Sequence, residues 1–207
     1  MGFGLRLQRL AWAVQPAYIA GEVLIGVAAG VAYSFRDDTI SALGTGCSQA
    51  VLSGCSSQPW AMNATFICFG ALQALGAWHL IRDRTSRRSQ ILGGLWAVAG
   101  SFSVLVGVFP VDSHPVAHTL VALPVFICQP LALILHARMS SGRLRTAGLG
   151  LATISVVGAV SFGALLGSDT WEGFAERVAI WPAKLWLGLV ASGMIVSRLP
   201  RSGLSGR

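Results

Sequence analysis

The sequence predicts an all-α, polytopic membrane protein, a bundle of six transmembrane helices forming one domain over residues 1–207. Three observations predict it. Of the 207 residues, 54% are apolar and 11% charged, where a soluble domain usually carries about 25% charged residues. Mean hydropathy is +0.66. The charges cluster, leaving six apolar stretches that each match the roughly 20 residues needed to cross a ~30 Å hydrocarbon layer. None alternates as a barrel strand would, and backbone amides in lipid must be satisfied within their own segment, so the runs are helices.

The first helix, 11–34, follows Arg6 and Arg9 and is interrupted by Gln15 and Glu22. It has no small-residue cleavage site close behind it, so it reads as a retained span rather than a signal peptide. The second, 59–82, begins at Pro59-Trp60, and the third, 90–110, follows Arg87 and Arg88. Pro115 suits the first position of the fourth helix, 116–137, with His114 as its cap. The fifth, 146–167, follows Arg143 and Arg145, and the sixth, 178–198, follows Glu176-Arg177. Gly21, Gly26 and Gly30 in the first helix and Gly93, Gly94 and Gly100 in the third allow close helix approach. Self-association into a homo-oligomer is compatible with such surfaces.

Positively charged connections stay in the cytoplasm. Arg6, Arg9, Arg82, Arg84, Arg87, Arg88, Arg138, Arg143, Arg145, Arg198, Arg201 and Arg207 all fall on one side, against Arg36 and Arg177 on the other, with Lys184 just inside the last helix. Both termini are therefore expected in the cytoplasm, and the protein in the bacterial inner or plasma membrane. The net charge of +7 is then explained by topology and anionic headgroups, and no nucleic-acid partner is expected.

This topology gathers Asp37, Asp38, Asp112, Asp169, Glu172, Glu176, His114 and His118 on the outer face. Cys47 and Cys55 share the outer 35–58 connection and are expected to form a disulfide, since that compartment is oxidising. Cys68 and Cys128 read as small apolar residues within helices. Glu22 lies near the membrane midplane, where a carboxylate is costly and usually functional or protonated. Gln73 and Gln129 reach a similar depth and could bond it.

Three outer segments carry candidate chemistry. Asp37-Asp38, if buried together, would place an acid beside a base. Asp112-Ser113-His114-Pro115-Val116-Ala117-His118 offers a His, His and carboxylate set of weak metal-binding character; the ordinary reading has Asp112 and His118 bonded to other helix ends. Trp171-Glu172-Gly173-Phe174-Ala175-Glu176-Arg177 supplies an arginine able to hold a phosphate, while Trp171, Trp181 and Trp186 read as interfacial anchors. No phosphate loop, nucleophile elbow, haem site or dinucleotide fingerprint is present, and no cofactor is expected.

Asp38-Thr39-Ile40-Ser41-Ala42-Leu43-Gly44 with Pro59-Trp60-Ala61-Met62-Asn63-Ala64, then Phe109-Pro110-Val111-Asp112 with His118, then Trp171 and Glu176-Arg177 with Pro182 and Trp186, resemble the bacterial integral-membrane family catalogued as domain of unknown function 998. More distantly, the first segment resembles the DRAM-type membrane proteins linked to lipid organisation. The resemblance implies six helices and a shared polar cluster of Asp38, Ser41, Asn63, Asp112, His118, Glu176 and Arg177, with no established reaction.

The reading is a pocket at the outer helix ends that binds or acts on a lipid or isoprenoid amphiphile. Asp38, Asp112, His118 and Glu176 are its candidate acids and bases; Ser41, Asn63, Trp171, Arg177 and Glu22 are candidate ligand contacts. Three alternatives remain open: a non-enzymatic structural or lipid-organising protein, a metal-dependent membrane hydrolase, and a proton-coupled transporter using Glu22. A pocket of ~300 Å³ or more favours a ligand; fully paired side chains without one favour the structural reading.

Overall fold

In a computed structural model, residues 3–29, 33–47, 54–82 and 86–196 are described. Seven helices follow in order: α1 (Phe3–Ala13), α2 (Ala17–Ala29), α3 (Pro59–Arg82), α4 (Arg87–Val108), α5 (Pro115–Met139), α6 (Gly142–Leu165) and α7 (Glu172–Val196). Together α1 and α2 make one 26-residue apolar span, Gly4–Ala29, and α3, α4, α5 and α6 are each long and apolar enough to cross a membrane. The 25-residue α7 matches them in length and completes the bundle. The helices close into a ring in which α1 packs on α3, α3 on α4, α4 on α5, α5 on α6, α6 on α7 and α7 back on α1.

The first predicted helix is in two pieces. Pro16 has no N–H to donate and its ring crowds the preceding turn, so the chain turns through Val14–Pro16 and Ala17 N–H donates to Val14 O at 2.9 Å instead. The last helix starts six residues earlier than its apolar run, at Glu172. Glu176 and Arg177 therefore lie within a helix, not a connection, and Lys184 lies at its middle. Residues 30–32, 83–85 and 197–207, which include Gly30, Asp83, Arg84, Arg198, Arg201 and Arg207, fall outside the described residues.

Helix backbones touch where glycines permit it. A Cβ built on Gly70 would lie 2.6 Å from the Gly100 carbonyl oxygen, and one on Gly100 would lie 2.6 Å from that of Gly70, so α3 and α4 cross in direct contact. The core has two apolar layers. One gathers Trp12, Leu92, Trp96, Leu133, Trp186 and Leu187; the other gathers Tyr18, Met62, Phe66 and Val125 with Ile40 and Leu43 of the connection before α3. Trp186 is fully buried in the first layer and stacks edge-on against His136, so it is a core residue and not an interfacial anchor. Trp171 is half exposed.

Candidate functional site

One end of the bundle is covered by the connection between α2 and α3, held in a 3-10 turn at Ser41–Gly44 and tied by a Cys47–Cys55 disulfide. Cys68 and Cys128 are free thiols. Asn63, Asp112, His118, Glu176 and Arg177, all singled out in the sequence, gather here and bond the connection. Asn63 of α3 donates to Gly44 O at 3.1 Å. His118 of α5 meets Ser41 Oγ at 3.0 Å through Nε2 and Phe109 O at 2.8 Å through Nδ1. Asp112 accepts from Gly46 N–H at 3.4 Å and from Ser113 Oγ at 3.0 Å. Asp38 accepts from Ser34 N–H at 2.6 Å.

The N-terminus of α7 docks on the same segment. Gly173 and Phe174 donate their N–H groups to Asp37 O and Arg36 O at 3.1 and 2.8 Å, and Trp171 N–H donates to Asp37 Oδ1 at 3.1 Å. A carboxylate and two carbonyls thus satisfy the donors a helix start leaves unpaired. A Cβ on Gly173 would fall within the Asp38 carbonyl, so only glycine allows this approach. The Arg36 guanidinium on Asp37, with the Trp171 N–H, holds the Asp37 carboxyl down at about 2.

Arg177 is the hub. Its Nη1 donates to Phe35 O, Asp38 O and Gly173 O at 2.9, 3.0 and 2.8 Å, its Nη2 to the Tyr33 hydroxyl, and its Nε to Glu22 Oε1 at 2.9 Å. Trp181 Nε1 donates to the other oxygen of Glu22 at 2.6 Å, so this tryptophan too is no simple anchor. Glu22 meets neither Gln73 nor Gln129; its partners both come from α7. Glu176 accepts from Ile40 N–H at 2.5 Å.

Ser41 and His118 have the spacing of a nucleophile and its base, with Phe109 O fixing the ring. Acyl transfer also needs free donors for an oxyanion and room for substrate. The neighbouring Ala42 and Leu43 N–H groups already donate to Thr39 O and Ile40 O, each at 3.1 Å. The chamber under Ser41, lined also by Tyr18, Ser103, Gln129, Glu176 and Lys184, has a volume of about 30 Å³. With both His118 nitrogens engaged, the ring has no lone pair aimed at a metal. His114 is exposed, and no group of three metal-ligating side chains is assembled among the described residues.

A family model described as a protein of unknown function (DUF998) matches residues 12–193. The chain belongs to this family. No curated protein and no solved structure matches it. The match embraces the whole DUF998 crown just described, from Glu22 and the 33–58 connection to Arg177.

One feature escaped the sequence reading. Lys184 is fully buried at the centre of the DUF998 bundle, where its Nζ donates to Gln15 Oε1 at 3.2 Å and Gln73 Oε1 at 2.9 Å. Gln15 is freed for this by the break at Pro16, and its Nε2 donates to Ala11 O at 3.3 Å and Phe69 O at 3.1 Å. The signal available in sequence was a lysine inside an apolar span, with glutamines inside other spans.

Proposed function

We propose that this DUF998 protein is a non-enzymatic, lipid-organising membrane protein, in which the polar cluster at one end latches the 33–58 connection onto the bundle and the apolar exterior meets lipid. The carrying observation is that Asp38, Asn63, Asp112, His118, Glu176 and Arg177 all spend polar atoms on the backbone or side chains of one connection. A network that ties α3, α5 and α7 to one segment stabilises one arrangement of the helix ends. The chamber beneath Ser41, of about 30 Å³, and an open groove of about 200 Å³ between α2 and residues 56–58 both fall below the ~300 Å³ of an ordinary small-molecule pocket.

The lipid side of the proposal draws on the exterior. Leu24, Val27, Val116 and Val160 are each at least 65% exposed, as lipid-facing side chains are. At the rim of the crown, Trp171 carries the Arg36 guanidinium 5.5 Å from its ring, an aromatic and cationic pair suited to the headgroup layer.

The test compares wild type with Asp112→Asn and His118→Ala, purified in detergent, by thermal unfolding and by mass spectrometry of co-purified lipids. The latch reading expects lower thermal midpoints and an unchanged lipid profile. Selective loss of one lipid species at an unchanged midpoint overturns it in favour of a ligand pocket.

A further inference from the structure

The middle of the bundle holds a second polar constellation, which adjoins the latch at Ser41 and Glu176. The chamber of about 30 Å³ is bounded by α2, α3, α4, α5, α7 and the 3-10 turn. Its volume accommodates one or two water molecules, each needing ~10–15 Å³ of such space. Gln129 is 1% exposed, lines the chamber, and its Oε1 has no donor among the described residues. A buried amide oxygen in that position calls for a donor, and a chamber of this size admits water as that donor.

Two ionisable side chains line the same chamber from one helix. Glu176 and Lys184 are eight residues apart on α7, so their backbones are separated by ~12 Å along the axis. The only carboxylate–cation pairs among the described residues are Arg36–Asp37 and Arg177–Glu22, so Lys184 has no carboxylate in contact. Its ammonium is held by the Gln15 and Gln73 amide oxygens and lies 5.0 Å from the centre of the Tyr18 ring. The other charged groups acting on Glu176 are Arg177, Glu22 and Glu172, and the first two neutralise one another.

We propose that the chamber binds one or two water molecules and that these carry a proton between Lys184 and Glu176. An N–H bond of the Lys184 ammonium breaks as an O–H bond forms on water, and an O–H bond of the water chain breaks as one forms on the Glu176 carboxylate. The products are a neutral amine and a neutral carboxylic acid, and the water is regenerated. A carboxylate and an ammonium in low dielectric each carry a large desolvation cost. Moving one proton between them creates no net charge. The site lies beside a span interrupted at Val14–Pro16, the kind of broken helix found around midplane ion sites in membrane carriers. Proton handling is thereby assigned to Lys184 and Glu176, while Glu22 is locked between Arg177 and Trp181.

The full chain in nanodiscs tests both halves. Radiolytic labelling in ¹⁸O-water should place label on Tyr18 and Phe126 in wild type and lose more than half of it in Gln129→Leu; absence of label in wild type overturns the water site. Infrared titration should show a carboxylic-acid band that Glu176→Gln removes, with a midpoint that Lys184→Met shifts by about one pH unit, or tenfold in proton activity. If Lys184→Met fails to fold, Lys184→Gln is read in the same way. An unmoved midpoint overturns the proton exchange. Gln129→Leu and Lys184→Met alter no residue that bonds the connection, and neither readout is the lipid profile, so the latch reading and this one fail separately.

Discussion

Arg177 and Glu22, 155 positions apart, meet inside the bundle with Nε 2.9 Å from Oε1 and side chains only 5% and 0% exposed. The pair fastens α2 to α7 and orients the guanidinium so that its remaining donors reach Tyr33, Phe35, Asp38 and Gly173. Removing one partner of a buried pair strands the other charge. Glu22→Gln should therefore lower stability by about 3–5 kcal/mol, read by thermal unfolding in detergent, and Glu22→Gln with Arg177→Met should recover part of it. A single variant as stable as wild type would show that the pair does not hold the helices.

The Cys47–Cys55 bridge closes a small ring in the covering connection. In the chain-entropy view such a ring contributes about 2–3 kcal/mol. Cys47→Ser with Cys55→Ser should lower the thermal midpoint, and reductant should do the same to wild type but not to the double variant. Non-reducing mass spectrometry should find wild type two hydrogens lighter than its reduced form.

His118 joins α5 to the loop after α4 and to the 3-10 turn through its two ring nitrogens. His118→Ala leaves Ser41 Oγ and Phe109 O without that partner, a loss of about 1–3 kcal/mol. Proteolysis of the 33–58 connection should accelerate in step with the loss of stability. Faster cleavage at an unchanged midpoint would mean that His118 latches the connection without supporting the bundle.

Asp37 caps α7, and its folded carboxyl, lowered to about 2, sits below the ~3.9 of an unfolded chain. The stabilisation is present above the unfolded value and is lost as pH falls through the folded one. Asp37→Asn should be less stable than wild type at neutral pH, and the gap should close between about pH 4 and pH 2. A gap independent of pH would assign the effect to shape rather than charge.

Much of this architecture was legible in the chain. Apolar runs long enough to span lipid gave the helices, and the motifs around Ser41, Asn63, Asp112, His118 and Arg177 marked residues that do converge. The start of α7 and the burial of Lys184 were not legible. Glu176-Arg177 read as a connection because hydropathy charges each ionised side chain its full cost alone, and cannot see Glu22 waiting on another helix. Trp181 and Trp186 read as anchors because tryptophan favours interfaces on average; here one bonds Glu22 and the other fills the core.

By itself the sequence determined that the chain is a helical membrane protein, because twenty apolar residues in a row have one way to satisfy their backbone in lipid. It also determined which polar residues were too costly to be incidental. Which of them meet was decided by the tertiary structure alone. Partners for a buried charge come from other helices, and only the packing of α2 against α7, with the break at Pro16 turning Gln15 toward Lys184, brings donors and acceptors within hydrogen-bond reach.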